Sequence, residues 1–313
     1  MTFPVSGVEV SPLIPLLTGL IVSAVSSMGG VSGAFLLVPF QISALGFAGP
    51  AVSPTTLMFN IVAIPSGVYR YIREGRMVWP LTWVMVAGTL PGMALGVILR
   101  IEFLPDPTAF RFFVGCVLLY VGGRLMYDAK NSRTKASEGD LASSSDSRTI
   151  RRQAAGADAA LEVQTMAASW HEITYKFSNE TFSLRPVAVL PCVFTVGIVS
   201  GAYGVGGGSI IGPLLVTYFR LPVHTIAGAT LMGTFVTSIA GVAFYGLAAV
   251  HYSDTDLAVA PDWMLGALFG LGGAVGMYVG ARCQKYVSAR LLKLLLACVL
   301  LFVALRYVGR VLL

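Results

Sequence analysis

The chain has 313 residues, of which 56% are hydrophobic and 12% charged, with a net charge of +6 and a mean hydropathy of +0.78. A soluble domain carries about twice that share of charge, and apolar runs long enough to cross a bilayer recur from end to end. Composition therefore excludes an ordinary soluble protein and assigns the positive charge to the loops of a polytopic membrane protein rather than to a nucleic-acid partner.

The first apolar segment, 12–46, is too long for one ordinary span and is interrupted by SSMGGVSG. Each arm, near 12–27 and 32–46, gives only about 22 Å of helix at 1.5 Å per residue, short of a hydrocarbon core of about 30 Å. No Lys or Arg precedes Arg70, so no basic n-region of a cleavable signal peptide is read. Segments 50–70, 79–100 and 108–127 follow and close a first membrane repeat, 1–128.

Residues 129–184 break the pattern. They begin polar and serine-rich, which predicts a disordered tether. They end in WHEITYKFSNETFSLRP, where Ile173, Tyr175 and Phe177 alternate with polar residues before a turn at SNE, which predicts a small β-hairpin outside the membrane. The second membrane repeat, 185–313, carries segments 186–220, 223–250, 261–281 and 288–312, and its first segment is broken at SGAYGVGGG.

The two repeats spell one phrase twice. Gly30 to Pro39 reads GVSGAFLLVP, and Gly204 to Pro213 reads GVGGGSIIGP. At the same offset Thr56-Leu57-Met58 matches Thr230-Leu231-Met232, and GMALG at 92–96 matches GMYVG at 276–280 with ten residues added in between. Internal duplication of this kind is common in transporter folds. If each glycine-rich segment is a single broken helix, each half has four crossings and the halves lie parallel. If each is a re-entrant hairpin, each half has three crossings and the halves are inverted. The hairpin arrangement gathers 17 of the 21 basic residues on one face and leaves Arg100, Arg111, Arg306 and Arg310 with the acidic loop around Asp254, Asp256 and Asp262 on the other. The positive-inside rule favours it, placing the linker in the cytoplasm and both termini outside. The expected fold is an all-α membrane protein of two homologous, inverted halves, each with a broken or re-entrant glycine-rich helix and three spanning helices.

Non-helical backbone at membrane depth is tolerated only inside protein or along a cavity, and glycines leave backbone N–H groups open there. A helix beginning just after each phrase offers free donors and a partial positive charge, which is an anion site. The candidate substrate contacts are Gly30, Val31, Ser32 and Gly33 in the first phrase and Gly204, Gly206, Gly207, Gly208 and Ser209 in the second. The helices that follow add Thr55, Thr56 and Asn60, and Thr230 and Thr234. Thr56 with Asn60, and Thr230 with Thr234, share a face at i,i+4. Pro39 and Pro213 are candidate kink or hinge points. Close packing and interhelical hydrogen bonding are the competing readings of the same glycines and hydroxyls, and packing is the first reading of GMALG and GMYVG.

Other features read as structure. Cys116, Cys192, Cys283 and Cys298 are scattered singly, without metal-ligand spacing, as small buried hydrophobes. His224 and His251 mark the ends of one helix, and Tyr69, Tyr71 and Tyr245 read as interfacial belt residues. No acid or base falls in a membrane centre, which argues against a carboxylate proton relay. No catalytic set, metal site or cofactor motif is present among the spans, so an enzyme is disfavoured, and no cofactor is expected.

The phrase pair resembles that of the TauE/SafE sulfite exporter family (TSUP), whose halves open with G-[VI]-G-G-G-x-[LI]-x-x-P. Gly204 to Pro213 keeps that phrase whole; the first copy has Ser32 and Ala34 in place of two glycines. The resemblance covers nearly all the chain except 129–184. It implies a secondary transporter in the cytoplasmic (inner) membrane for sulfite, sulfonates such as sulfoacetate, or related small anions, working by alternating access. A transporter or channel for another small organic anion is the alternative. The partners expected are the anion and the lipid bilayer, and glycine-rich outer faces allow a homodimer.

Overall fold

The structure is a computed structural model that describes residues 2–29, 32–73, 75, 77–139, 164–168, 172–177, 180–219, 223–252, 254, 257–283 and 289–312. Among the described residues the regular structure is helical apart from one small sheet. The first half comprises α1 (Leu13–Gly29), α2 (Ala34–Ser43), α3 (Val52–Ala63), α4 (Pro65–Arg73), α5 (Trp79–Ile98), a π-helical continuation (Leu99–Phe103) and α6 (Pro107–Gly139). The second comprises α7 (Pro186–Tyr203), α8 (Gly208–Tyr218), α9 (Val223–His251), α10 (Trp263–Cys283) and α11 (Ala289–Leu312). Among the described residues five helices are long and apolar enough to cross a membrane: Trp79–Phe103, Pro107–Tyr127, Pro186–Tyr203, Ile226–His251 and Trp263–Gly280.

Both glycine phrases interrupt a helix as expected, between α1 and α2 and between α7 and α8. The arms are unequal: α7 has 18 residues and α8 has 11. The first arm is thus long enough to reach across most of a bilayer, longer than the sequence suggested. The second segment of the first half bends at Pro65, whose missing N–H separates α3 from α4; its counterpart α9 runs uninterrupted for 29 residues.

In the linker, α6 runs on as helix to Gly139 where a tether was expected. The sheet has three antiparallel strands rather than two, in the order β1 (Gln164–Ala168), β2 (Ile173–Phe177), β3 (Glu180–Leu184). Ile173, Tyr175 and Leu184 are buried, and Tyr175 stacks on Phe182. The added strand QTMAA covers the second edge of β2, which the hairpin alone would leave open. The expected turn at 178–179 lies outside the described residues.

Helices pack across the halves. Gly272, Gly276 and Gly280 of α10 meet Leu16, Leu20 and Ala24 of α1 in ascending order, so these helices run parallel. Gly92 and Gly96 of α5 meet Phe194 and Ile198 of α7 in the same sense. A side chain at any of these glycines would overlap the facing backbone, so GMALG and GMYVG are packing faces that let helices approach closely. The pairs α3–α10 and α9–α5 are likewise parallel, shown by Met58 and Val62 against Gly266 and Gly270, and by Met85 and Met93 against Gly233 and Gly241. Two further pairs descend. Leu57 meets Gly241 and Gly67 meets Leu231, so α3–α4 opposes α9. Gly115 meets Ala304 and Val308 while Gly122 meets Leu301, so α6 opposes α11. Exchanging the halves, α1 for α7, α3–α4 for α9, α5 for α10 and α6 for α11, maps this set of pairings onto itself.

The outside is apolar too. Leu17 and Ile21 of α1, Leu271 and Val275 of α10, and Phe302 and Leu305 of α11 are exposed, as lipid-facing positions must be. Cys116 and Cys298 lie on this exposed surface and not in the interior where they were expected; a thiol is apolar enough for lipid contact.

Candidate functional site

The second phrase forms a short connector whose conformation only glycine adopts easily. Gly204 ends α7 with φ +88° and Gly206 has φ +84°. A Cβ at Gly206 would lie 2.6 Å from Thr234 Cγ2, and one at Gly207 2.7 Å from Thr89 Cγ2. At Gly208, the first residue of α8, it would overlap the carbonyl oxygen of Thr230. The connector is therefore threaded between α3, α5 and α9 with no room to spare.

Polar groups from those helices close on it. Asn60 Nδ2 donates to Val205 O at 2.8 Å and to Ser238 Oγ at 3.3 Å. The Gly207 N–H donates to Thr237 Oγ1 at 3.2 Å. Ser53 Oγ donates to Ala202 O at 2.8 Å, and Tyr245 Oη to Gly201 O at 2.9 Å. Asn60, Thr234, Thr237 and Ser238 are all buried. The break thus brings together Gly204, Gly206, Gly207, Gly208, Asn60, Thr230 and Thr234 from the sequence-based candidates. Ser209 sits half-buried one residue into α8, its hydroxyl donating to Val205 O at 3.4 Å.

The first break lies on the other side of α3. Gly33 starts α2, and a Cβ there would lie 3.3 Å from the Phe59 ring, one residue from Asn60, and 3.4 Å from Ser23 Oγ. Ser32 Oγ accepts from the Ala34 N–H at 3.3 Å, so it caps the first turn of α2. Tyr203 Oη donates to Phe35 O at 3.2 Å and ties the end of α7 to that same turn. Gly30 and Val31 lie outside the described residues. Both second arms begin at a glycine N-cap whose carbonyl accepts from the first turn: Leu36 N donates to Gly33 O at 3.0 Å and Ile210 N to Gly207 O at 3.3 Å.

Two candidates serve other contacts. Thr55 Oγ1 donates to Ala51 O and accepts from the Asp262 N–H at 2.9 Å, joining α3 to the start of α10. Thr56 Oγ1 donates to Val52 O and accepts from Gln41 Nε2 at 2.8 Å, joining α3 to α2. Pro39 is buried inside α2, and its carbonyl accepts from Tyr307 Oη at 3.2 Å. Pro213 lies within α8; its side chain is not among those described.

Sequence reasoning missed several members. Thr89 carries no motif and is found only because α5 passes the break. Tyr245 was read as interfacial but is fully buried, with its hydroxyl on the α7 carbonyl of Gly201. Arg100 was placed in an outer loop. The π-helical turn continues α5 past it, and the guanidinium is buried. It donates to Leu104 O, to Gly49 O at 2.7 Å and to Ala48 O at 3.2 Å, and stacks 3.6 Å over the Phe110 ring. At the same end Tyr252 donates to Glu102, a bond that raises the phenol above its ordinary value. His224 and His251 fall where expected, in the first turn and at the end of α9; the His251 ring is exposed.

A family model described as "Sulfite exporter TauE/SafE" matches residues 15–307. The chain belongs to the TauE/SafE family. Two relatives from Bacillus subtilis (strain 168) agree with that membership. "Probable membrane transporter protein YunE" is 22% identical over 301 residues, covering 93% of this chain and 97% of its own length. "Probable membrane transporter protein YdhB" is 31% identical over 109 residues, 35% of this chain and 40% of its own length. No solved structure matches the chain. This TauE/SafE protein is therefore a multi-pass protein of a membrane transporter family.

Proposed function

We propose that the protein is a secondary transporter of small sulfur-containing oxyanions across the cytoplasmic membrane. In this reading the anion is held at mid-membrane by the glycine breaks and the N-termini of α2 and α8. The observation that carries it is the second break: a glycine connector deep in the bundle, ringed by the neutral polar side chains of Asn60, Thr89, Thr234, Thr237 and Ser238. Neutral dipoles bind an oxyanion moderately, and moderate binding permits release.

The halves are inverted in this account. If corresponding helices α6 and α11 both span, their antiparallel packing supports a two-fold axis in the membrane plane, and so does that of α3 with α9. The arms then alternate. α1 runs parallel to α3 and α10, so α2 must return toward the face where α1 began, making each glycine phrase a re-entrant turn. Because the connector is closely packed, cargo reaches it only when α8 shifts against α9, which is the alternating-access step. Pro39 and Pro213 supply the points where the short arms bend.

Equilibrium binding to sulfite, sulfate, thiosulfate, sulfoacetate, taurine and acetate tests the reading. Saturable binding of a sulfur oxyanion is expected, weakened in Gly207→Leu and in Asn60→Asp, which sets a carboxylate against the anion. Equal binding of all six, unchanged by both substitutions, would remove the site from the glycine breaks.

A further inference from the structure

Buried threonines among the described residues follow a rule. Thr55, Thr56, Thr82, Thr89 and Thr237 each donate to the carbonyl four residues earlier, at 2.6–3.0 Å. Of the buried serines, Ser53 donates to Ala202 O and Ser238 accepts from Asn60 Nδ2, whereas Ser23 and Ser26 of α1 and Ser200 of α7, each at most 1% exposed, have Oγ atoms without a partner. Among the described residues, Gln41 Oε1 of α2 and Arg100 Nε of the π-helical turn are also buried without a partner. The three serines lie on α1 and α7, the arms that lead into the glycine phrases.

Two of the serines are counterparts. Ser26 stands four residues before Gly30, and Ser200 four residues before Gly204. They sit at opposite ends of the bundle. Ala24 and Ser27 meet Gly280 near the end of α10, whereas Ser200 lies beside Gly201 and Ala202, which meet Gly96 of α5 and Ser53 at the start of α3. Since α3 and α10 run parallel, the two serines are offset along the bundle, Ser26 toward the end of α10 and Ser200 toward its start. Ser23 is one turn deeper than Ser26, on the same helix face, with its hydroxyl 3.4 Å from where a Cβ of Gly33 would be.

A buried hydroxyl without a partner is destabilising, and the same defect at two equivalent positions is not an accident of one helix. We propose that Ser26 and Ser200 are two symmetry-related anion-contacting residues, one toward each membrane face, which pass an oxyanion to and from the central glycine breaks. Ser26 serves the face reached by the ends of α4 and α10. Ser23 then hands the anion to the first turn of α2. Ser200 serves the opposite face, where the second break follows at once. Each offers a single O–H donor, suited to an oxyanion and indifferent to the rest of the cargo. Gln41 Oε1 is an acceptor and takes no part. This inference rests on the oxyanion transport reading above.

The test is sulfite flux in vesicles of both orientations, with Ser26→Ala, Ser200→Ala and, as control, Ser27→Ala, whose hydroxyl is already engaged by Ala24 O at 3.1 Å. Ser26→Ala should raise the half-saturating concentration about tenfold or more when sulfite is offered at the α10-end face, and by less than about twofold from the other face. Ser200→Ala should do the reverse, and Ser27→Ala should show no sidedness. Melting temperatures of Ser26→Ala and Ser200→Ala should hold or rise, since an unsatisfied group is removed. Equal shifts from both faces, no shift in either variant, or a lower melting temperature without an affinity change would overturn the proposal. Saturable wild-type flux with indifferent variants defeats this inference alone; absent wild-type flux of any sulfur oxyanion defeats the transport reading and this one with it.

Discussion

Gly204 and Gly46 share a left-handed conformation, with φ +88° and +69°, but not their surroundings. An Ala at either position meets the left-handed penalty of about 1–2 kcal/mol. At Gly46 nothing lies within 4 Å of the added Cβ, so that penalty is the whole cost. At Gly204 the Cβ would come 2.6 Å from Ser53 Cα and closer still to its carbonyl oxygen. Backbone on both sides must move, which adds about 1–3 kcal/mol. Gly204→Ala is therefore expected to cost about 2–5 kcal/mol. The helical Gly123, which also faces open space, should gain about 0.5–1 kcal/mol on conversion to Ala. Thermal unfolding of the detergent-solubilised protein, followed by tryptophan fluorescence, ranks the three. The expected order of midpoints is Gly123→Ala, then Gly46→Ala, then Gly204→Ala. A Gly204→Ala protein as stable as Gly46→Ala would refute the close threading of the second break past α3.

Other consequences can be checked separately. Asn60→Ala leaves the buried Val205 carbonyl without its donor and should destabilise by about 1–3 kcal/mol, whereas Thr195→Val, at an exposed hydroxyl bonded only within its own helix, should change the midpoint little. Arg100→Gln removes the cation that holds the α2–α3 turn to the start of α6; an Arg100→Lys protein, which keeps the charge but not the fork, should recover only part of the lost stability. Single cysteines at Gly75 and Asp254, in a background without the native four, should react with an impermeant maleimide from opposite faces of the membrane. Labelling of both from one face would contradict the inverted halves.

Much of this architecture was legible because membrane proteins write their constraints plainly. The two breaks follow from glycine runs inside apolar segments. The paired GMALG and GMYVG faces follow from small residues at helical spacing, and the structure puts them where backbones touch. Partner choice was not legible: nothing in α1 says that it packs on α10 of the other half rather than on α3. Arg100 was misjudged because a charge after a 20-residue span reads as a loop residue, and the π-helical turn that buries it leaves no pattern. Tyr245 was misjudged for a similar reason, since a tyrosine near a helix end looks interfacial until its hydroxyl finds a carbonyl inside. The unpartnered serines were invisible, because Ser26 and Ser200 differ from satisfied hydroxyls only in where their Oγ atoms point. The strand 164–168 lacks strict alternation and joins the sheet only because β2 offers an open edge.

The most direct test of anion transport through these breaks is sulfite counterflow in proteoliposomes. The account predicts that unlabelled sulfite inside accelerates entry of labelled sulfite, with saturation, and that Asn60→Asp abolishes the effect while the protein remains folded. Labelled sulfite that enters at one rate whether or not sulfite is inside, or a counterflow indifferent to Asn60→Asp, would contradict it.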